Sequence, residues 1–154
     1  MTEAGFVERT VPDVEGPILD ADALREAEAI KARYPDPRSA MVPLLYLIQS
    51  RAGWIPQQGM REVAQLLELR TAEVEAVATF YTMLKLHPTG RYVISVCTNP
   101  SCAVRGGRAL FEHARHTLGG EAERVTDDGL FTLEEEECMG ACDKAPVLTV
   151  NYLY

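Results

Sequence analysis

His87-Pro88-Thr89-Gly90-Arg91-Tyr92-Val93-Ile94-Ser95-Val96-Cys97 is the stretch in which the chain changes its periodicity. Its first four residues are turn formers. The run from Tyr92 to Val96 is β-branched and aromatic, so it predicts a short strand ending at a cysteine. Upstream of this point apolar residues recur at helical intervals, and downstream strand and turn signals surround one helical segment. The fold class is therefore α+β: an extended arm at residues 1–19, a helical bundle at 20–90, and an α/β domain at 91–154.

The arm contains Pro12, Gly16 and Pro17 and shows no sustained apolar period. Asp20 or Asp22 is suited to cap a first helix running to Tyr34, with Leu24, Ala27, Ile30 and Tyr34 at helical spacing and Pro35-Asp36-Pro37 as its stop. A second helix is predicted from Met41 to Ser50. Ser39 is its candidate cap, and Pro43 falls at the edge of the first turn. After the break at Ala52-Gly53-Trp54-Ile55-Pro56, residues Met60, Val63 and Leu67 mark a third helix. Thr71 caps a fourth, which extends to Leu86 on a stripe of Val74, Val77, Tyr81 and Leu84, with Glu73 and Glu75 complementing its positive end. Trp54, Phe80 and Tyr81 are expected to pack in the core.

Beyond Cys97, a helix is predicted at Arg105–Leu118, a short strand at Glu123–Thr126, a turn at Asp127-Asp128-Gly129, a strand at Leu130–Glu137 and a last strand at Val147–Val150. Strand, helix and strand in this order imply a crossover and a sheet that is at least partly parallel.

The chain has four cysteines, Cys97, Cys102, Cys138 and Cys142, spaced C-x4-C and C-x3-C with 35 residues between the pairs. Two close pairs brought together make a four-thiolate site for a soft metal centre, either an iron-sulfur cluster or structural zinc. Thiol-disulfide chemistry fits less well, because neither pair is C-x-x-C. Each pair follows a predicted strand, so parallel neighbouring strands would deliver both to one edge of the sheet. Gly140 and Gly106-Gly107 allow tight backbone turns there, and the N–H groups of Thr98, Asn99 and Ser101 are candidate donors to sulfur. His113 and His116 share a helix face but are expected to be solvated, as is Lys144. Glu134-Glu135-Glu136-Glu137 runs straight into Cys138, and strand alternation sends its two pairs of carboxylates to opposite faces.

Composition narrows the function. The 154 residues carry a net charge of -8, which gives no electrostatic footprint for nucleic acid. No apolar run approaches the roughly 18 residues that span a bilayer, and Met1-Thr2-Glu3-Ala4 has no secretory character, so the chain reads as cytosolic. In a reducing compartment cysteines favour metal or redox chemistry over structural disulfides. No phosphate loop, dinucleotide fingerprint or nucleophile elbow is present, and no catalysis is expected from the isolated chain.

Asp128-Gly129-Leu130-Phe131-Thr132, then Cys138-Met139-Gly140-Ala141-Cys142-Asp143-Lys144-Ala145-Pro146, together with Val96-Cys97-Thr98-Asn99-Pro100-Ser101-Cys102 and Ala76-Val77-Ala78-Thr79-Phe80-Tyr81, resembles the small iron-sulfur subunit of NADH-quinone oxidoreductase, respiratory complex I. The resemblance covers about residues 20–151. It implies a thioredoxin-like domain after the bundle and one 2Fe-2S cluster held by Cys97, Cys102, Cys138 and Cys142. It also implies a partner subunit that binds FMN and NADH, and a position peripheral to the inner membrane through the complex, without direct insertion. Related subunits serve NAD-dependent formate dehydrogenases and hydrogenases, and a zinc-stapled interaction module is the alternative of a different class. Met139 stands where the family often has leucine. The family's usual further strand and C-terminal helix do not follow Asn151-Tyr152-Leu153-Tyr154, so the last three residues are expected to be exposed.

Overall fold

The computed structural model of the protein describes residues 11–119 and 124–154. Its backbone divides into two compact units on either side of the Pro88–Thr89 bond, and each has its own core. The class is α+β.

In the first unit, helix α1 (Ala21–Lys31) begins at Asp20, whose carboxylate accepts a hydrogen bond from the Ala23 N–H at 2.8 Å. It buries Ala23 and Ala27, while Leu24, placed on the apolar stripe by spacing, is exposed. The helix also stops short of Tyr34: the Arg33 and Tyr34 N–H groups bond to the carbonyls of Ile30 and Lys31, which tightens the chain ahead of Pro35. Asp36, rather than Ser39, provides the next cap. Its carboxylate accepts from the Arg38 N–H and starts a 3-10 turn, Pro37–Ala40, that leads into α2 (Met41–Ala52). Pro43 is tolerated because it lies in the first turn of α2, where an N–H has no intrahelical acceptor.

α2 buries Met41, Leu44, Leu45, Leu47 and Ile48 and ends on Gly53 in the left-handed region, φ +81°. Helix α3 (Gln57–Leu67) lays Met60, Val63 and Leu67 into the same core, as the periodicity predicts. Gly59 lets it approach α2, since a Cβ there would sit 2.4 Å from Ile48 Cγ2.

Helix α4 (Thr71–Ala78) is shorter than predicted, and its cap position is Arg70 rather than Thr71; the Arg70 N–H donates to the Glu73 carboxylate at 3.2 Å. It ends because the Thr79 hydroxyl turns back to the carbonyls of Glu75 and Ala76, after which the Phe80 N–H bonds to Val77 in a tighter turn. The chain is then held across the bundle: Gln49 bonds to the backbone of Met83 and Lys85, and the Ile55 N–H donates to the Lys85 carbonyl at 2.7 Å. Leu84 is buried by this path. Trp54 packs in the core as expected, but Phe80, 75% exposed, and Tyr81 do not.

Residues 11–19 form neither helix nor strand and bend at Gly16, φ +82°, and Val11 and Leu19 are buried in the bundle core. Glu62 accepts from the N–H groups of both Ile18 and Leu19, and Asp13 pairs with Arg61 at 2.7 Å. The part of the arm before Val11 lies outside the described residues.

In the second unit, β1 (Tyr92–Cys97) lies between β2 (Phe131–Glu136), parallel to it, and β3 (Leu148–Val150), antiparallel to it. The helix predicted at Arg105–Leu118 forms as α6 (Gly107–Leu118), starting after Gly106, φ +95°, and a short helix that was not predicted, α5 (Pro100–Val104), precedes it. Phe111 of α6 packs on Val96 and Leu133, covering one face of the sheet. Of the strand expected at Glu123–Thr126, Glu123 lies outside the described residues, and Val125 makes an isolated bridge to Thr132. The predicted turn forms, with Asp128 accepting from the Leu130 N–H. After β3, Val150 and Leu153 exchange N–H···O bonds around Asn151 and Tyr152, both with positive φ, in the geometry of a two-residue hairpin. Tyr152, Leu153 and Tyr154 are exposed.

Candidate metal centre

The register of β1 against β2 brings the cysteines together. Cys97 is the last residue of β1 and stands opposite Glu136, so the loops carrying Cys102 and Cys138 leave the same edge of the parallel pair. α5 then turns Cys102 inward. Gly107 makes this possible, because a Cβ there would lie 2.5 Å from the Cys97 carbonyl oxygen and 2.9 Å from that of Cys102. On the other side Gly140, φ +74°, folds the Cys138–Cys142 loop back, and Cys142 opens a 3-10 turn, Cys142–Lys144.

All four cysteines are free and line one shallow recess, together with Met139 and Val147. They are not equivalent. Cys97 and Cys102 are buried, whereas Cys138 and Cys142 are exposed. Burial pushes the Cys102 thiol above its ordinary range, with a hydrogen bond to Cys97 adding to the effect. The Cys97 Sγ also donates to the Glu137 carbonyl at 3.4 Å, so one cysteine of the first pair touches the strand end that leads to the second.

Among the described residues, no three His, Cys, Asp or Glu side chains gather around a single point as ligands of one ion. A two-iron, two-sulfide cluster would ask for something else, four thiolates from the protein, and would supply one-electron chemistry. Four soft donors, arranged as two pairs around one recess at a sheet edge, match that donor set.

Thr98 differs from expectation. Its N–H donates to the Glu136 carbonyl at 3.1 Å, extending the ladder by one bond, and is thereby drawn away from sulfur. Asn99 occupies the cap position of α5 and Ser101 is in its first turn, so the amides at that helix start remain the candidate donors. The acidic run alternates as predicted: Glu134 and Glu136 are half-buried, Glu135 and Glu137 exposed. The Thr98 hydroxyl donates to the Glu135 carboxylate at 2.6 Å, a contact that neither residue's type announces in the sequence. His113 and His116 are exposed on α6 and do not line the recess, and Lys144 is a surface charge beside Asp143. The Tyr154 hydroxyl donates to the Met139 carbonyl, tying the end of the hairpin to the Cys138–Cys142 loop.

The profile of the family described as thioredoxin-like [2Fe-2S] ferredoxin matches residues 27–154. The chain is similar to the E subunit of NADH-quinone oxidoreductase from Mycobacterium tuberculosis, with 45% identity over 147 residues, covering 96% of this chain and 58% of that protein. It is also 45% identical over 126 residues to the second of the E-type NADH-quinone oxidoreductase subunits of Rhizobium meliloti, covering 82% of this chain and 75% of the relative. Subunit 2 of the NADH-quinone oxidoreductase of Thermus thermophilus is 40% identical over 122 residues, covering 78% of this chain and 67% of the relative. The chain thus spans 58% of the length of the mycobacterial proteins it matches. Among solved structures, an NAD+-reducing [NiFe]-hydrogenase in the air-oxidized state superposes with a TM-score of 0.62 at 23% identity, over 72% of this chain and 19% of that one, a likeness of fold.

Proposed function

The chain belongs to the thioredoxin-like [2Fe-2S] ferredoxin family, and from that premise we propose that it is the electron-carrying iron-sulfur subunit of an NADH-quinone oxidoreductase. In this reading Cys97, Cys102, Cys138 and Cys142 hold one 2Fe-2S cluster, and a partner subunit binds FMN and NADH. The observation that carries it is the convergence of four free thiols, from two loops far apart in sequence, on one recess at the edge of a parallel strand pair. When bound, such a cluster accepts and releases single electrons.

The chain's own residues divide the remaining work. Cys97 and Cys102, buried against Val147, anchor the protein side, while the exposed Cys138 and Cys142 lie toward solvent, where a partner's flavin can come within electron-transfer range. The amides at the start of α5 are candidate donors to a negatively charged sulfur. In the helical unit, Phe80, Tyr81 and Met83 are exposed large apolar side chains and form the candidate docking surface for the flavoprotein. No helix among the described residues is long and apolar enough to cross a membrane, so attachment to the inner membrane would run through the complex.

The fold shared with an NAD+-reducing hydrogenase favours one second reading, the equivalent subunit of such a hydrogenase. Both readings assign this chain the same role. Purified protein alone should not oxidise NADH, and its cluster should be reduced by NADH once the flavin-binding subunit is added. Stoichiometric NADH binding to the isolated chain, measured by calorimetry, would contradict this division of labour.

A further inference from the structure

We infer that Thr98 and Glu135 form a brace that fixes the spacing between the two cysteine pairs, and that both are positioning residues for the metal centre. The inference rests on the cluster assignment above and adds to it residues that are not ligands.

The regular pairing of β1 with β2 ends at Cys97 and Glu136. Past that point Cys97 and Cys102 pack on Val147, Met139 and Ala141, and the Cys97 N–H donates to the Val147 carbonyl at 3.0 Å, but direct hydrogen bonds from the Cys97–Cys102 loop to the end of β2 come from Thr98. Thr98 itself reaches two consecutive residues on the other side. Its hydroxyl donates to Glu135 at 2.6 Å and its N–H donates to the Glu136 carbonyl at 3.1 Å, and neither bond uses a ligand sulfur. The first has the length of a charge-assisted O–H···O⁻ bond, the strongest type available to a threonine.

Strand geometry makes the contact specific. Thr98 follows Val96 by two residues and so points to the same side of the sheet, and Val96 stands opposite Glu135. Ser95 and Glu134, on the other face, make a longer contact at 3.4 Å. Thr98 and Glu135 bond at an exposed position, and an exposed hydrogen bond contributes little to global stability. Its effect is therefore local: Thr98 is bonded directly to Cys97, and Glu135 lies three residues before Cys138. A brace at this position holds the two halves of the ligand set at one separation whether or not the recess is filled.

The test uses the full chain, reconstituted anaerobically with iron and sulfide, in unaltered form and as Thr98→Val, Thr98→Ser and Glu135→Gln. Thr98→Val should release iron to a chelator about five- to tenfold faster than the unaltered protein. It should also change the EPR g-values of the reduced centre, a signature that loss of global stability would not move. Thr98→Ser, which keeps the hydroxyl, should restore both. In the metal-free protein, hydrogen exchange of the backbone amide at position 98, corrected for residue type, should be faster in Thr98→Val and Glu135→Gln than in the unaltered chain. Unchanged release and unchanged g-values in Thr98→Val would overturn the brace, and so would Thr98→Ser behaving like Thr98→Val. Unaltered protein that takes up neither iron nor sulfide would instead overturn the cluster assignment, and the brace with it.

Discussion

Cys97 and Glu136 face each other as the last partners of the parallel β1–β2 ladder. Because the strands run the same way, Cys138, two residues past Glu136, emerges at the edge where Cys97 ends. Antiparallel strands would have sent the two pairs to opposite ends of the sheet. The crossover through α5 and α6 therefore has a chemical consequence: it separates the cysteine pairs by 35 residues in sequence and returns them to one recess.

Gly107 is the residue on which that return most depends. Gly107→Ala would place a Cβ 2.5 Å from the Cys97 carbonyl oxygen and 2.9 Å from that of Cys102, both backbone atoms that cannot swing away. We expect it to destabilise the unit after Pro88 by about 1–3 kcal/mol, the usual range for overpacking. Denaturant unfolding followed by circular dichroism measures this. A midpoint equal to that of unaltered protein would show that the close approach is not needed.

Replacing any one of Cys97, Cys102, Cys138 or Cys142 with serine should abolish or weaken the visible absorption of the reconstituted protein. His113→Ala and His116→Ala, altered on the exposed side of α6, should leave it unchanged. Loss of the spectrum in both histidine variants, with the fold intact, would contradict the ligand assignment.

Acid should act on the helical unit through three carboxylates. The Ala23 N–H holds Asp20 below its ordinary value, Arg61 does the same for Asp13, and the Arg70 N–H for Glu73. Lowered folded-state values mean stability that is fully present above the ordinary carboxyl values of 3.8 for Asp and 4.5 for Glu, and is lost as pH falls through the lower folded values. Thermal midpoints of the unit should be flat from neutral pH to about pH 5 and then fall. Asp20→Asn keeps a capping side chain but not the titrating charge, so it should flatten the acid limb. An unaltered acid limb in that variant would remove Asp20 from the account.

Phe80 tests the docking surface. Because it is 75% exposed, Phe80→Ser should change stability by no more than about 0.5 kcal/mol. It should nevertheless slow reduction of the centre by NADH through the flavin-binding subunit. Equal rates for the variant and the unaltered protein would place docking elsewhere.

The meeting of the four cysteines at one recess was the most legible part of the sequence, because thiol spacing and strand-ending position are both properties of local residue order. The alternation of Glu134–Glu137 and the third helix's stripe of Met60, Val63 and Leu67 were legible for the same reason. What escaped were choices made by distant partners. Phe80 and Tyr81 continue a helical stripe, yet the Thr79 hydroxyl and the grip of Gln49 on Met83 and Lys85 end the helix at Ala78. The short α5 also escaped, and the need to seat Gly107 against Cys97 starts the next helix two residues later than its periodicity placed it. The burial of Val11 and Leu19 depends on Glu62, more than forty residues away, accepting the N–H groups of Ile18 and Leu19.

Iron and acid-labile sulfide, measured together with zinc on anaerobically prepared protein, test the central claim most directly. About two irons and two sulfides per chain are expected, because four thiolates satisfy one 2Fe-2S centre. One zinc per chain with no labile sulfide would contradict the assignment.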